Sequence, residues 1–183
     1  MYDIVILHGT FGHPFENWIP WLFDSLSSEN KKVLVPQFPS PDGQSFESWE
    51  KILLSYVHLF NENTIFVGHS LGATFAVDFI VKHKLKLKKL FLISGLYKKI
   101  GIEEFDILNQ SFFNSRDSLS QLKSYTDQIL SIYSQNDPYL SFETLKEFAD
   151  LCQAKSIIIE SGGHFNKSAG YEKFHELLEL ILR

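Results

Sequence analysis

Six short apolar runs alternate with stretches of helical period, and this alternation constrains the fold more than any other feature of the chain. The runs fall at residues 3–8, 32–36, 64–68, 88–94, 129–135 and 155–160. The helical stretches lie near 17–28, 45–60, 70–84, 141–152 and 170–182. Strands that alternate with helices pair in parallel, because a parallel partner is reached only through a crossover. Phe46, Trp49, Leu53, Tyr56, Val57 and Phe60 recur at three and four residues and give the second helix one apolar face, as Tyr171, Phe174, Leu177, Leu178 and Ile181 do for the last. Pro20 fits the first helix if Asn17 is its N-cap, since a first-turn N–H has no partner within the helix. Trp18 and Trp21, one turn apart, are expected to pack against the sheet. With 183 residues, 44% of them hydrophobic, the chain can bury one substantial core, and a single domain over 1–183 is expected. Residues 95–128 are the exception: long, polar and partly helical near 118–126. A connection of that length is usually functional. It could cover a site, yet it is too short to be an independent cap domain.

Charge and cysteine content narrow the function. The formal net charge of −5 disfavours nucleic acid as a partner, and the lysine-rich run at 81–90 reads as solubilising charge where a helix ends and a strand begins. The opening segment Met1–Leu7 lacks a basic leader, and no apolar stretch is long enough for a membrane span. Cys152 is the one cysteine, so no disulfide can form within the chain, and its place on an apolar helix face makes it core filler. A cytoplasmic location is the expectation.

The stretch VGHSLGA, residues 67–73, brings chemistry into this frame. A serine between glycines two places either side, after a buried strand and before a helix, fits a nucleophile elbow, in which small neighbours permit the sharp turn. Ser70 would then project from the C-terminal end of its strand, close to a helix N-terminus. A serine hydroxyl needs a base, and the base needs an orienting acid. Asp137 follows the fifth apolar run and His164 the sixth, so both fall on loops at the same sheet edge as Ser70. Glu160 and Asp106 are the alternative acids; His8 reads as structural, and His69, beside Ser70 in the elbow, is expected to point elsewhere. The oxyanion donors would be the amides of Leu71 and Thr10, with Phe11 N–H in reserve. Phe11, Phe38, Phe112, Phe113, Tyr139 and Phe165 are candidates for an apolar substrate pocket, with core packing the alternative for each.

In HGTFG, GHSLG, QNDP and GGHF, taken in that order, the chain resembles the α/β-hydrolase superfamily. More narrowly, it is similar to the small serine hydrolases related to retinoblastoma-binding protein nine and the bacterial YdeN-like proteins. That likeness extends through NWIPWL, VPQFPSPDGQSFESWEKIL and GGHFNKSAGYEKFHEL. It implies a three-layer α/β/α sandwich with about six parallel strands in the order 2-1-3-4-5-6, no separate cap domain, and a triad on Ser70, Asp137 and His164. An L-x-C-x-E docking motif cannot be built on Cys152, because Asp150 and Ala154 occupy its flanks, so that partner is not carried over.

The function expected is hydrolysis of a small-molecule ester, or less readily of an amide or thioester, with no cofactor required. The alternative is an interaction module on a hydrolase fold, since fold alone does not settle function. A metallohydrolase built on His8, His13 and His69 lacks any H-E-x-x-H spacing. Neither a nucleic acid nor a membrane is expected as a partner, and a protein partner is left open.

Overall fold

A computed structural model describes residues 1–113, 116–126 and 128–183. Its strands are β1 (Ile4–Leu7), β2 (Val33–Leu34), β3 (Ile65–His69), β4 (Lys89–Ile93), β5 (Ile129–Ser134) and β6 (Lys155–Ile159). They form one sheet in the order β2-β1-β3-β4-β5-β6, and every neighbouring pair is parallel. The expected strand order is therefore the one found. The central strands β1, β3 and β4 are buried along their whole length because both faces are covered. Along them, successive residues feed opposite layers: Val5, Leu7, Phe66, Leu90 and Leu92 pack in one cluster, and Ile4, Ile6, Val67, Phe91 and Ile93 in the other.

The helices are α1 (Ile19–Ser28), α2 (Phe46–Leu54), α3 (Leu71–Lys82), α4 (Glu103–Asn109), α5 (Arg116–Gln121), α6 (Phe142–Leu151) and α7 (His175–Leu182). The apolar faces of α1 and α7 belong to one layer, and those of α2 and α3 to the other. Trp18 is fully buried in the first of these layers.

Several helix limits differ from the sequence expectation. Trp18, and not Asn17, is the N-cap of α1; Asn17 takes a positive φ of 51° and accepts from the Lys167 amide at 2.8 Å. The second helix stops at Leu54 and gives way to a single 3-10 turn at Val57–Leu59, and the last starts at His175, after a 3-10 turn at Lys167–Ala169. Residues 95–128 hold more helix than expected, because α4 and a 3-10 turn at Gln110–Phe112 precede α5. Residues 114, 115 and 127 of that segment lie outside the described residues. No helix among the described residues is long and apolar enough to cross a membrane. Cys152 is buried, and burial, reinforced by the charge of Asp78, pushes its thiol well above the ordinary range, in keeping with a packing role.

Candidate active site

Ser70 sits between β3 and α3 with φ 54° and ψ −123°, a conformation that costs a non-glycine residue energy unless its surroundings impose it. The imposition is visible. Its amide donates to Ile93 O at 2.8 Å, and its carbonyl accepts from the Ala73 amide at 3.0 Å. Glycine is required on both sides by close approach. A Cβ at Gly68 would lie 2.6 Å from Ala73 Cα, and one at Gly72 would run into the carbonyls of Leu7 and His8. The elbow is thus wedged between β1 and the first turn of α3.

Asp137 and His164 come together as the sequence suggests. His164 Nδ1 donates to Asp137 Oδ2 at 2.7 Å, and the Asp137 side chain is fully buried. Its other oxygen accepts from the amides of Tyr139 and Leu140, at 2.9 and 3.1 Å. Burial alone would raise the Asp137 carboxyl, but the bond from His164 and these two amides outweigh it and hold the group below its ordinary value. The alternative acids are elsewhere: Asp106 accepts from the amides of Ile100 and Gly101, at 2.8 and 3.0 Å, and Glu160 is exposed just beyond β6.

The loop carrying His164 is pinned through consecutive carbonyls. Ser134 Oγ lies 2.7 Å from Gly163 O, His69 Nε2 donates to His164 O at 2.8 Å, and Trp18 Nε1 donates to Phe165 O at 2.9 Å. Asn136 Oδ1 accepts the Gly163 amide at 2.8 Å, tying this loop to the one with Asp137. His69 is buried and neutral, its pKa lowered to about 3 chiefly by desolvation. His8 is also buried, with its pKa lowered to about 4, again chiefly by desolvation. Its Nδ1 donates to Gly9 O, and its Nε2 accepts the Phe38 amide, each at 3.0 Å. His8 thus takes the structural position expected of it, whereas His69, expected to point elsewhere, lines the cavity while it holds the His164 carbonyl.

The Phe11 amide is already used, donating to Ser40 Oγ at 2.6 Å. The Thr10 amide and the Leu71 amide, at the start of α3, have no protein acceptor among the described residues. Gly9, next to Thr10, lies against the serine: a Cβ there would be 3.3 Å from Ser70 Oγ. The side chain of Thr10 has a partner that sequence reasoning missed, Asn109 Oδ1 at 2.7 Å, which also accepts from Gln44 Nε2 at 2.8 Å. Ser40 Oγ donates to Gln44 Oε1 at 2.6 Å. A polar chain therefore fastens the loops after β1 and β2 to α4.

Ser70 and His164 line one cavity of about 220 Å³, together with Gly9 and Thr10. Of the six aromatic candidates, Phe11 and Tyr139 line it. Phe38, Phe112 and Phe165 do not, because each is fully buried in the core. Phe38 stacks on Trp49, Phe112 meets Trp49 edge-on, and Phe165 stacks on Phe174. Phe113 packs instead against the small cluster that contains Leu96, Tyr133 and Leu140. The cavity wall missed from sequence consists of Leu96, Ile100, Phe105, Asn109 and Leu140, with Glu16, Asn17 and Asn166 also facing it. Asp106, within α4, accepts the amides of Ile100 and Gly101 and so ties the turn before the helix to its first turns.

A parallel sheet in this order, with a serine at the strand-to-helix elbow and an Asp–His pair on the loops at the same edge, is the arrangement of the α/β-hydrolase fold. The serine hydrolase family model matches residues 4–183, and the chain belongs to that family. It is 27% identical over 172 residues to YdeN of Bacillus subtilis, covering 92% of this chain and 88% of the relative. To the serine hydrolase RBBP9 of Rattus norvegicus it is 26% identical over 165 residues, covering 90% and 84%. The crystal structure of the B. subtilis ydeN gene product superposes with a TM-score of 0.88 at 23% identity, covering 100% of this chain and 97% of that one.

Proposed function

We propose that the protein is a carboxylesterase that cleaves small esters through an acyl-enzyme on Ser70. The observation that carries this reading is the 2.7 Å bond from His164 to a buried Asp137, on the wall of the cavity that also holds Ser70. His164 Nδ1–H is committed to Asp137, so Nε2 is the atom left to take the Ser70 proton as the oxygen attacks a carbonyl. The amides of Leu71 and Thr10 then receive the oxyanion, aided by the N-terminal end of α3. His164 returns the proton to the leaving alcohol. Water activated by the same imidazole releases the acid.

A fluorophosphonate is expected to label Ser70, and Ser70→Ala to lose both labelling and ester turnover while keeping the fold. Asp137→Asn keeps the shape but favours the wrong imidazole tautomer, and is expected to lower kcat on the order of 10⁴-fold. Peptide mapping of the adduct and steady-state kinetics on p-nitrophenyl acetate check both. An adduct on another residue, or a folded wild-type protein that neither labels nor turns over, would overturn the assignment in favour of an interaction module.

A further inference from the structure

Among the described residues, Glu16 is the one carboxylate that lines the cavity with Ser70, and no lysine or arginine lines it. The carboxylate is half-buried and forms no ion pair among the described residues. Lys167, next in sequence to the cavity residue Asn166, is engaged with Glu172 at 2.8 Å. Nor does the Glu16 side chain serve as the cap of α1, since it is the Glu16 main-chain carbonyl that accepts the Ile19 amide. Space is kept for it, because a Cβ on Gly12 would come within 2.6 Å of Glu16 Oε1. Two amide side chains face the cavity with it, and their oxygens are occupied: Asn17 Oδ1 accepts from Lys167 N and Asn166 Oδ1 from Ala169 N. Glu16 is therefore the charged acceptor on that wall; the His13 main chain occupies part of its carboxylate, and no lysine or arginine among the described residues pairs with it. Burial raises its carboxyl above the ordinary value, against the lowering influence of the charge of His13 and of a hydrogen bond from the His13 main chain, so the fold holds a half-buried acid on the wall of the cavity that also holds Ser70. Such placement is more common at functional sites than on an ordinary surface.

The rest of the wall is of opposite character. Leu96, Ile100, Phe105, Tyr139 and Leu140 present apolar surface. We propose that this site prefers esters with one apolar arm and one arm bearing an ammonium group, Glu16 being the counter-charge that selects the cation. The proposal rests on the reading of Ser70 as the nucleophile. Glu16 acts on binding and takes no part in moving the proton.

The test compares ester pairs that differ only in charge: choline butyrate, and p-nitrophenyl γ-trimethylammoniobutyrate, each against the neutral ester in which tert-butyl replaces trimethylammonium. The first pair places the charge on the alcohol arm and the second on the acyl arm. In at least one pair the cationic ester is expected to have a kcat/KM about tenfold higher, the scale of a partly screened charge contact. In Glu16→Gln that ratio falls to about 1, and added salt lowers it in the wild-type protein. A ratio of 1 or less in both pairs, or a preference retained in Glu16→Gln, overturns the proposal while leaving ester hydrolysis intact. Loss of turnover on every ester, p-nitrophenyl acetate included, instead removes the Ser70 reading and this proposal with it. Competition needs no variant: choline must inhibit p-nitrophenyl acetate hydrolysis by the wild-type protein more strongly than its tert-butyl isostere does, and equal inhibition is a negative result.

Discussion

At the scale of single residues, the loops around the site are held by groups that must stay neutral. His69 reaches the His164 carbonyl, and His8 links Gly9 to the Phe38 amide. The pKa of His69 is lowered to about 3 and that of His8 to about 4, burial being the first cause in both. Below the ordinary histidine value the unfolded chain takes up protons that the folded one refuses, so stability falls as pH drops from about 6.5 towards these lowered values. By pH 5 each histidine is expected to cost on the order of 2 kcal/mol. Urea unfolding at pH 7.5 and pH 5 measures the loss, and His8→Asn, which cannot titrate, should remove about half of it. Ser70, Asp137 and His164 were legible in the sequence because each follows an apolar run and so lies at one edge of a parallel sheet. The phenylalanines were not. A phenylalanine on a loop turns towards a cavity or into the core according to partners far away in sequence, as Phe38 does on meeting Trp49 and Phe165 on meeting Phe174. Glu16 carried no local signal either, since the cavity it faces is closed by residues as distant in sequence as His69, Leu96 and Asn166.

Among the elements, the long segment before β5 was the least legible. The seven residues of α4 are too few to show a full amphipathic period, and Ile102 and Ile107 beside and within it are exposed. Its position is fixed instead by Asp106, which accepts two amides of the turn before it, and by Asn109 in the polar chain from Ser40 and Gln44. The neighbouring pair of α3 and α5 carries a strain of opposite sign to that of the histidines. Asp78 on α3 is bonded to Ser118 on α5, yet burial, the larger influence, raises its carboxyl from 3.8 to about 6. A carboxyl with a raised folded value contributes stability that is fully present below 3.8 and lost as pH rises through about 6. At pH 8 the ionised group is expected to cost about 1–3 kcal/mol. Asp78→Asn keeps a hydrogen-bonding side chain without the charge, so it should stabilise the protein at pH 8 and change little at pH 4. Chemical denaturation at the two pH values checks this, and an equal effect at both would show that Asp78 acts through packing alone.

For the whole molecule, the sheet order decides where chemistry can occur. The chain leaves β1 to one side and β3 returns on the other, so the loop after β1 and the elbow after β3 face each other across the crevice where open α/β sheets bind ligands. The size of that crevice is set by other parts of the chain. Phe105 on α4 meets Phe11 edge-on at 5.3 Å and Tyr139 at 6.0 Å, while Tyr139 meets His164 at 5.1 Å. These rings cross the cavity wall and join the β1 loop to the loop after β5. Each further buried CH₂ of an acyl chain contributes about 0.8 kcal/mol only while apolar wall is there to receive it, so activity should peak at roughly two to six carbons. Phe105→Ala removes the central ring of the bridge without touching Ser70, Asp137 or His164, and should move the optimum to longer chains by at least two carbons, as judged by kcat/KM on p-nitrophenyl esters below their micellar threshold. A wild-type maximum at ten or more carbons, or a rise in rate when the substrate forms micelles, would mean that α4 swings aside at a lipid surface and that the aromatic bridge does not set the length of the site.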